Sequence, residues 1–570
     1  MKILPLRKLF QGNFDRQVMN LKKLGVSMDL GYILLSNKFL PVLLFFLFFF
    51  VFLTTSGGHV MSPDGMITFI MTENFVTNGS PTLNIDSSAA RQTGFGVYYS
   101  IEDIVTNRAE REYEKEQNNE ITKEEFTKDY FEKTNLNEVS PPHYVVVPTM
   151  AVPLYLIAKS VGAEPLNFVP LFFNSLIVAI TAVVIFFLSR EIFNSERIGF
   201  VLSLLFGFTS YIWPYTNGML ARPLAILFMM LTIYFLIRNK KKERFFFPIF
   251  AGVSLGLMGL THANFFLLMP GLVVFGFFEL RKNRKYLMLF GISLVLLFLV
   301  QASVNDYRFG SPFDLYGLGE FSRGGNTDVA SKWINEFEFD GVYGFLISPD
   351  NSLFVYFPIA LLLPLGGYCL YKKDRPLTLL FIFIFVVTYG YIATTDTAVG
   401  GEGGKWNSVN AIWGPHRYLL PLIPIITISI GAIIAKFPKL ELKIPIIILS
   451  AFGFFVNLLL SLVYWRLAFN YGFVNEGLNR VRGWNEIMTW EPQYSSVALS
   501  LKVLENNYVN FKNEFQYYAN WGLEGCSLDS YIFCQHGNLA IGLMVIFIFI
   551  IVYMIMIVLI SPSLSKKISK

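Results

Sequence analysis

The stretch Gly57-Gly58-His59-Val60-Met61-Ser62-Pro63-Asp64-Gly65 sets a histidine and an acid at the mouth of the first apolar run. A carboxylate there is costly if it dips into lipid, so an acid at such a helix mouth reads as functional. The Gly-Gly pair and the Pro-Asp-Gly triplet are turn chemistry and predict a tight backbone reversal at the bilayer surface. Asp64 is therefore read as the chemical centre of a membrane-embedded enzyme, with His59 beside it as a candidate substrate contact.

The elements that must position Asp64 follow from composition. The chain has 570 residues, 54% of them hydrophobic and only 15% charged, where a soluble domain would carry roughly a quarter charged. Mean hydropathy is +0.49. A net charge of +5 is modest, and its distribution speaks against a nucleic-acid partner. Residues 1–38 are basic and predict a cytoplasmic N-terminus, and 39–53 a retained first span. An outer loop then covers 54–165. In it, Met66–Thr77 is expected to lie along the interface. The twelve acids and six bases of 101–138 predict a solvated helix or insertion.

Segment 144–161 decides the topology. If it does not cross, the later spans fall at about 166–188, 198–213, 220–237, 245–260, 263–279, 286–303, 353–371, 377–393, 416–435, 444–466 and 538–560. The basic runs at 238–244, 281–285, 372–375, 436–443 and 566–570 then all lie inside. Segment 144–161 is accordingly read as re-entrant or interfacial, interrupted at Pro148 and Pro153. The expected fold class is an all-α polytopic membrane protein with about 12 transmembrane helices and a large extracytoplasmic first loop. A catalytic region spans 39–466, with a second large outer loop at 304–352. An extracytoplasmic loop follows at 467–537, and 538–570 is the last span with its cytoplasmic tail. The plasma membrane is the expected location. Cys526 and Cys534 share one polar segment and are either disulfide-bonded or free thiols.

The outer segments hold an ordered set of motifs. After His59 and Asp64 come Pro153-Leu154-Tyr155, Trp213-Pro214-Tyr215, Arg222-Pro223 and Gly259-Leu260-Thr261-His262-Ala263-Asn264. Then follow Asn305-Asp306-Tyr307-Arg308-Phe309-Gly310-Ser311-Pro312, a Gly341–Pro349 segment, and Trp413-Gly414-Pro415-His416-Arg417-Tyr418. In order and placement, from about 39 to 435, the set resembles the GT-C superfamily of polyprenyl-phosphate-sugar-dependent glycosyltransferases. The likeness is to the branch of protein O-mannosyltransferases and aminoarabinose transferases.

The resemblance implies transfer of a sugar from a polyprenyl-phosphate carrier to an acceptor on the outer face, with Asp64 as the catalytic acid of the first outer loop. Where the family often sets a second acid close by, Gly65 follows Asp64 directly. Physically, a phosphate is a good leaving group, so a general base acting on an acceptor hydroxyl can suffice, and Asp64 is expected to fill that role. The leaving phosphate calls for planar cationic donors. Arg417 and His416 are the first candidates, then Arg222 and Arg308. No tight ligand spacing specifies a metal; the eight acids of 304–352 leave a divalent cation open. Trp213, Trp406 and Trp413 are candidate stacking surfaces for sugar. The acceptor is left open among protein, lipid and glycan. The competing reading is a lipid or glycan transporter or flippase, against which stand few mid-membrane charges and no inverted repeat.

Overall fold

The computed structural model describes residues 40–60, 63–80, 83–84, 138–139, 145–309, 312, 340–394, 417–437, 444–463, 465–478 and 484–506. These form helices, joined by one antiparallel pair of two-residue strands, Leu83–Asn84 against Glu138–Val139. The expected last span at 538–560, residues 101–137 of the insertion, His416, Trp406, Trp413, Cys526 and Cys534 lie outside the described residues.

Helix α1 (Leu40–Thr54) buries Leu44, Leu47, Phe48 and Phe52 on one face and exposes Val42, Phe46 and Phe50 on the other. The buried face packs on α4 (Pro165–Phe193), a 29-residue helix. Pro165 opens α4 at its first position, where a missing N–H costs nothing. Asn194 closes it in the left-handed conformation, which its short polar side chain tolerates. Ser195 then caps α5 (Glu196–Phe208) by accepting from the Ile198 N–H at 3.3 Å. Next come α6 (Ala221–Lys241), α7 (Phe246–Thr261), α8 (Met269–Leu280) and α9 (Arg284–Phe309).

Among the described residues, four helices are long and apolar enough to cross a membrane: Pro165–Phe193, Ala221–Lys241, Arg284–Arg308 and Ile444–Leu462. Six shorter apolar helices join them, and the chain is an integral membrane protein. Met288, Ile292, Val295 and Leu299 on α9 face outward, as lipid-facing positions do.

Two helices precede α4. The first, α2 (Pro63–Thr77), starts at Pro63, so the Pro-Asp-Gly triplet opens a helix; the positive φ, 63°, falls at Gly58 in the Gly-Gly pair, the other site expected to turn. Helix α2 is largely enclosed by protein. Met66, Ile67, Phe69, Ile70 and Met71 are all buried, and so are Thr68, Thr72 and Asn74. It packs on α3 (Val146–Val161), where Tyr155 donates to Glu73 Oε1 at 3.0 Å. Helix α3 runs unbroken through Pro153, contrary to the expected interruption. At 1.5 Å per residue its 16 residues span about 24 Å, short of the ~30 Å hydrocarbon core.

After α10 (Asp340–Ile347), the expected span 353–371 is broken into α11 (Leu353–Tyr356), a 3₁₀ turn at Pro358–Leu362 and α12 (Leu363–Lys373). Pro358 and Pro364 begin the second and third pieces, each lacking the N–H that would carry one continuous helix. Helices α13 (Arg375–Thr394), α14 (Leu422–Lys436) and α15 (Ile444–Leu462) complete the bundle. Beyond it, α16 (Trp465–Val474), α17 (Trp484–Trp490) and α18 (Ser496–Glu505) close over a small core of their own, built on Leu467, Tyr471, Met488, Leu499 and Val503.

The helices alternate so that the bundle has two chemically distinct ends. One gathers the basic turns: buried Glu191 accepts from Arg238 and lies 3.4 Å from Lys241, while Lys240 pairs with Glu279 at 3.2 Å. The other holds the motif segments after α1, before α6, after α7 and before α14, together with α16–α18.

Candidate active site

The opening motif is fastened to the rest of this end through α1. The Thr55 hydroxyl at the helix exit accepts from Trp213 Nε1 at 2.9 Å. Trp213 itself is buried among Phe52, Phe208 and Phe454, so it is a packing residue and not the exposed sugar platform expected of it. His59 is buried in the link between α1 and α2. The backbone of Asp64 lies in the first turn of α2, where an acid meets a favourable helix dipole; its carboxylate lies outside the described residues.

Helix α5 stops at Phe208, short of the expected span end, and beyond it Thr209 and Ser210 donate their hydroxyls to the Leu205 and Phe206 carbonyls at 2.7 and 2.6 Å. Pro214 then starts a 3₁₀ turn that carries Tyr215 into the bundle. Asn174 of α4 donates to the Tyr215 carbonyl at 3.3 Å and holds the turn.

Around Tyr215 two of the expected phosphate residues, Arg222 and Arg417, converge. Arg222, in the first turn of α6, is buried, with its guanidinium 4.1 Å from the centre of the Tyr418 ring. Arg417, next to that tyrosine, is half-buried and stands 5.6 Å from the same ring. Such stacking on a π-face holds a guanidinium in place while leaving its edge donors aimed elsewhere. Burial pushes the Tyr215 hydroxyl up from its ordinary range, and the charges of Arg417 and Arg222 oppose that shift. Both cations therefore act on one hydroxyl. Tyr215 and Arg417 lie far apart along the chain, and only the fold brings them together.

Arg308 is also buried at this end, in the last turn of α9. His262 serves its own turn: the Nδ1 accepts from the Asn264 N–H at 3.3 Å where α7 ends. A cleft of about 330 Å³, its open mouth included, lies beside Arg222, walled by Arg222, Tyr418, Asn264 and Thr388 and otherwise by apolar residues such as Leu267 and Val387. Among the described residues, no group of three or more His, Cys, Asp or Glu side chains is placed to hold a metal ion.

Sequence reasoning gave Asp350 no role of its own. It is fully enclosed, and its Oδ1 accepts from the Ser496 N–H at 2.6 Å and from the Tyr356 hydroxyl at 3.4 Å. Burial pushes its carboxyl up to about 6, against the pull of those hydrogen bonds. Next to it, Ser348 Oγ donates to the Thr489 carbonyl at 2.7 Å. Loop 348–352 thus fastens α17 and α18 to the bundle.

Residues 147–304 match the family described as dolichyl-phosphate-mannose-protein mannosyltransferase. The match covers less than a third of the chain, and it marks what that stretch is similar to. The matched stretch contains Trp213, Tyr215 and Arg222; Asp64 and Arg417 fall outside it. Among solved structures, ArnT from Cupriavidus metallidurans bound to undecaprenyl phosphate aligns at 12% identity and a TM-score of 0.44, over 87% of this chain and 78% of that one. The Archaeoglobus fulgidus oligosaccharyltransferase, in complex with Zn and sulfate, aligns at 12% identity and a TM-score of 0.34, over 63% of this chain and 50% of that one. No curated protein matches the chain.

Proposed function

We propose that this GT-C-type protein moves a sugar from a polyprenyl-phosphate carrier to a hydroxyl acceptor at the motif-bearing end of the bundle. The observation that carries the reading is the pairing of Arg222 and Arg417 around Tyr418 and Tyr215, at the mouth of a cleft with apolar walls. A lipid phosphate needs both features: cations for the head and an apolar wall for the chain. The family match over 147–304 supports the reaction class. The motif-bearing end is taken as the outer face and the basic end as cytoplasmic, in keeping with the positive-inside rule.

In this reading the Asp64 carboxylate takes the proton of the acceptor hydroxyl as that oxygen attacks the anomeric carbon. The bond from that carbon to the phosphate oxygen breaks, and the electron pair leaves with the polyprenyl phosphate. Attack opposite the leaving group inverts the anomeric centre. Arg222 and Arg417, with Arg308 and His416 as further candidates, meet the charge that grows on the phosphate, and preorganised charge of this kind is worth most where water is excluded. His59 is assigned to contact with the substrate. The binding test is titration of the purified protein with a polyprenyl phosphate. Arg222→Gln and Arg417→Gln should each weaken binding about tenfold or more, the cost of losing a charged hydrogen-bond donor. Unchanged affinity in both variants refutes the phosphate assignment.

A further inference from the structure

At the basic end, α12 and α14 pack side by side and finish together. They approach at Gly366, where a Cβ would meet the Ser429 carbonyl oxygen at 2.8 Å, so a glycine lets the two backbones come this close. Their last turns then bring Lys372 of α12 and Lys436 of α14 to one ring: the two Nζ atoms lie 5.6 and 5.2 Å from the centre of Tyr368. Lys373, next in the chain, lies 5.7 Å from the Phe193 ring at the end of α4. Two ammonium groups gathered at one ring repel each other, and the ring offsets only part of that repulsion. Elsewhere on this end the fold answers crowded bases with acids. Glu191 takes Arg238 and Lys241, Glu196 lies 3.7 Å from Arg190, and Glu279 pairs with Lys240. Here the acid nearest in sequence, Asp374, is engaged by the backbone: its Oδ1 accepts from the Leu377 N–H at 3.1 Å and caps α13. The connection 438–443 lies outside the described residues, and its sequence sets Lys439 and Lys443 against Glu441.

The flank that leads to these lysines is apolar. Leu361, at the end of the 3₁₀ turn, then Leu365, Tyr368 and Lys372 follow one another at helical spacing, and all four are exposed. Toward the basic end the order is therefore hydrocarbon, hydrocarbon, phenol, ammonium. A phospholipid presents the matching order of acyl chain, glycerol ester and phosphate, and basic recesses between membrane helices take anionic headgroups. A zwitterionic headgroup carries its own cation and gains less from two lysines. We propose that the paired ends of α12 and α14 form a seat for an anionic phospholipid, with an acyl chain along Leu361 and Leu365 and the phosphate between Lys372 and Lys436. The seat lies at the end of the bundle opposite the candidate active site, and the inference does not depend on the transferase reading. A headgroup there relieves the repulsion between the lysines. Each lysine is worth about fivefold in affinity for such a lipid. Because the lipid binds the folded chain, it also stabilises it.

The experiment uses the full chain in phosphatidylcholine nanodiscs and two probes, a phosphatidylglycerol and a phosphatidylcholine, each with a diazirine in one acyl chain. The phosphatidylglycerol probe should crosslink Leu361, Leu365 or Tyr368 about tenfold more than the other, and excess plain phosphatidylglycerol should displace it. Lys372→Gln/Lys436→Gln should bring the two probes to near parity, while Lys372→Arg/Lys436→Arg should keep the preference. Melting in detergent gives a second reading. Added phosphatidylglycerol should raise the melting temperature of the native chain and leave that of the glutamine variant unchanged. Without lipid, the glutamine variant should melt no lower than the native chain, which shows that it is folded. Lys242→Gln/Arg244→Gln removes the same charge elsewhere on the basic end and should keep the preference at α12. Equal labelling of the native chain by the two probes overturns the proposal. So does a preference that the Lys242/Arg244 variant lowers as far as the Lys372/Lys436 variant does, which would make it a property of the whole basic end. Displacement by inorganic phosphate at the concentration at which phosphatidylglycerol displaces also overturns it, since the site would then take a free anion.

Discussion

At Asp350 a single carboxylate joins two parts of the chain that lie 146 residues apart. Because burial raises its pKa to about 6 from the usual 3.8, the folded state holds the proton more tightly than the unfolded one. Stability from this group is thus fully present below about pH 4 and is lost as pH rises through about 6. Attachment of α17 and α18 should accordingly tighten on moving from pH 7.5 to pH 5. Hydrogen exchange of 484–506 checks this: protection should rise at pH 5 in the native chain, and Asp350→Asn should abolish that pH dependence. The sequence could not announce this residue, since a lone Asp in a polar loop has no spacing signal and its partner is a backbone N–H. The arginines were legible for the opposite reason. Bases are scarce in the expected outer segments, so each one stood out, although nothing in the chain said that Arg222 and Arg417 would share one tyrosine. Arg222→Lys should bind polyprenyl phosphate more weakly than the native chain, because an ammonium lacks the planar fork that both stacks on Tyr418 and chelates oxygen.

Among the elements, the long apolar runs were readable because a bilayer demands them, and α4, α6, α9 and α15 fall close to their expected limits. Other elements departed in detail. The polar residues of α2 read as a wet face, but Thr68 and Thr72 are buried, and Thr72 Oγ1 donates to the Thr68 carbonyl at 2.8 Å. A hydroxyl that bonds within its own helix can be buried at little cost, so composition alone misjudged that face. The span at 353–371 failed at Pro358, where hydropathy sees an apolar residue and the backbone sees a missing donor. Packing between α12 and α14 offers a paired test. A Cβ at Gly366 would meet the Ser429 carbonyl oxygen at 2.8 Å, whereas one at Gly367 meets nothing within 4 Å. Gly366→Ala should therefore lower thermal stability, by roughly 1–3 kcal/mol. Gly367→Ala should be neutral or raise it by up to about 1 kcal/mol, the usual helix preference for alanine. Melting in detergent distinguishes them.

For the whole molecule, the segregation of chemistry governs function. The basic turns collect at one end, the motif segments and the cleft beside Arg222 at the other, and the apolar flank between them belongs to lipid. Charge counting along the sequence anticipated that division, because the positive-inside rule acts on every loop at once. Which motif segments would meet was beyond its reach. Single cysteines placed at 240–242 should resist an impermeant thiol reagent in intact cells and react once the membrane is opened. The central claim, however, is chemical: a carboxylate at the head of α2 removes the acceptor proton. Its most direct test is single-turnover transfer from a polyprenyl-phosphate sugar by the native chain and by Asp64→Asn. The account predicts donor binding within about twofold of native and transfer slower by about 10²–10⁴-fold, the usual contribution of a general base. Transfer by Asp64→Asn at the native rate would contradict it.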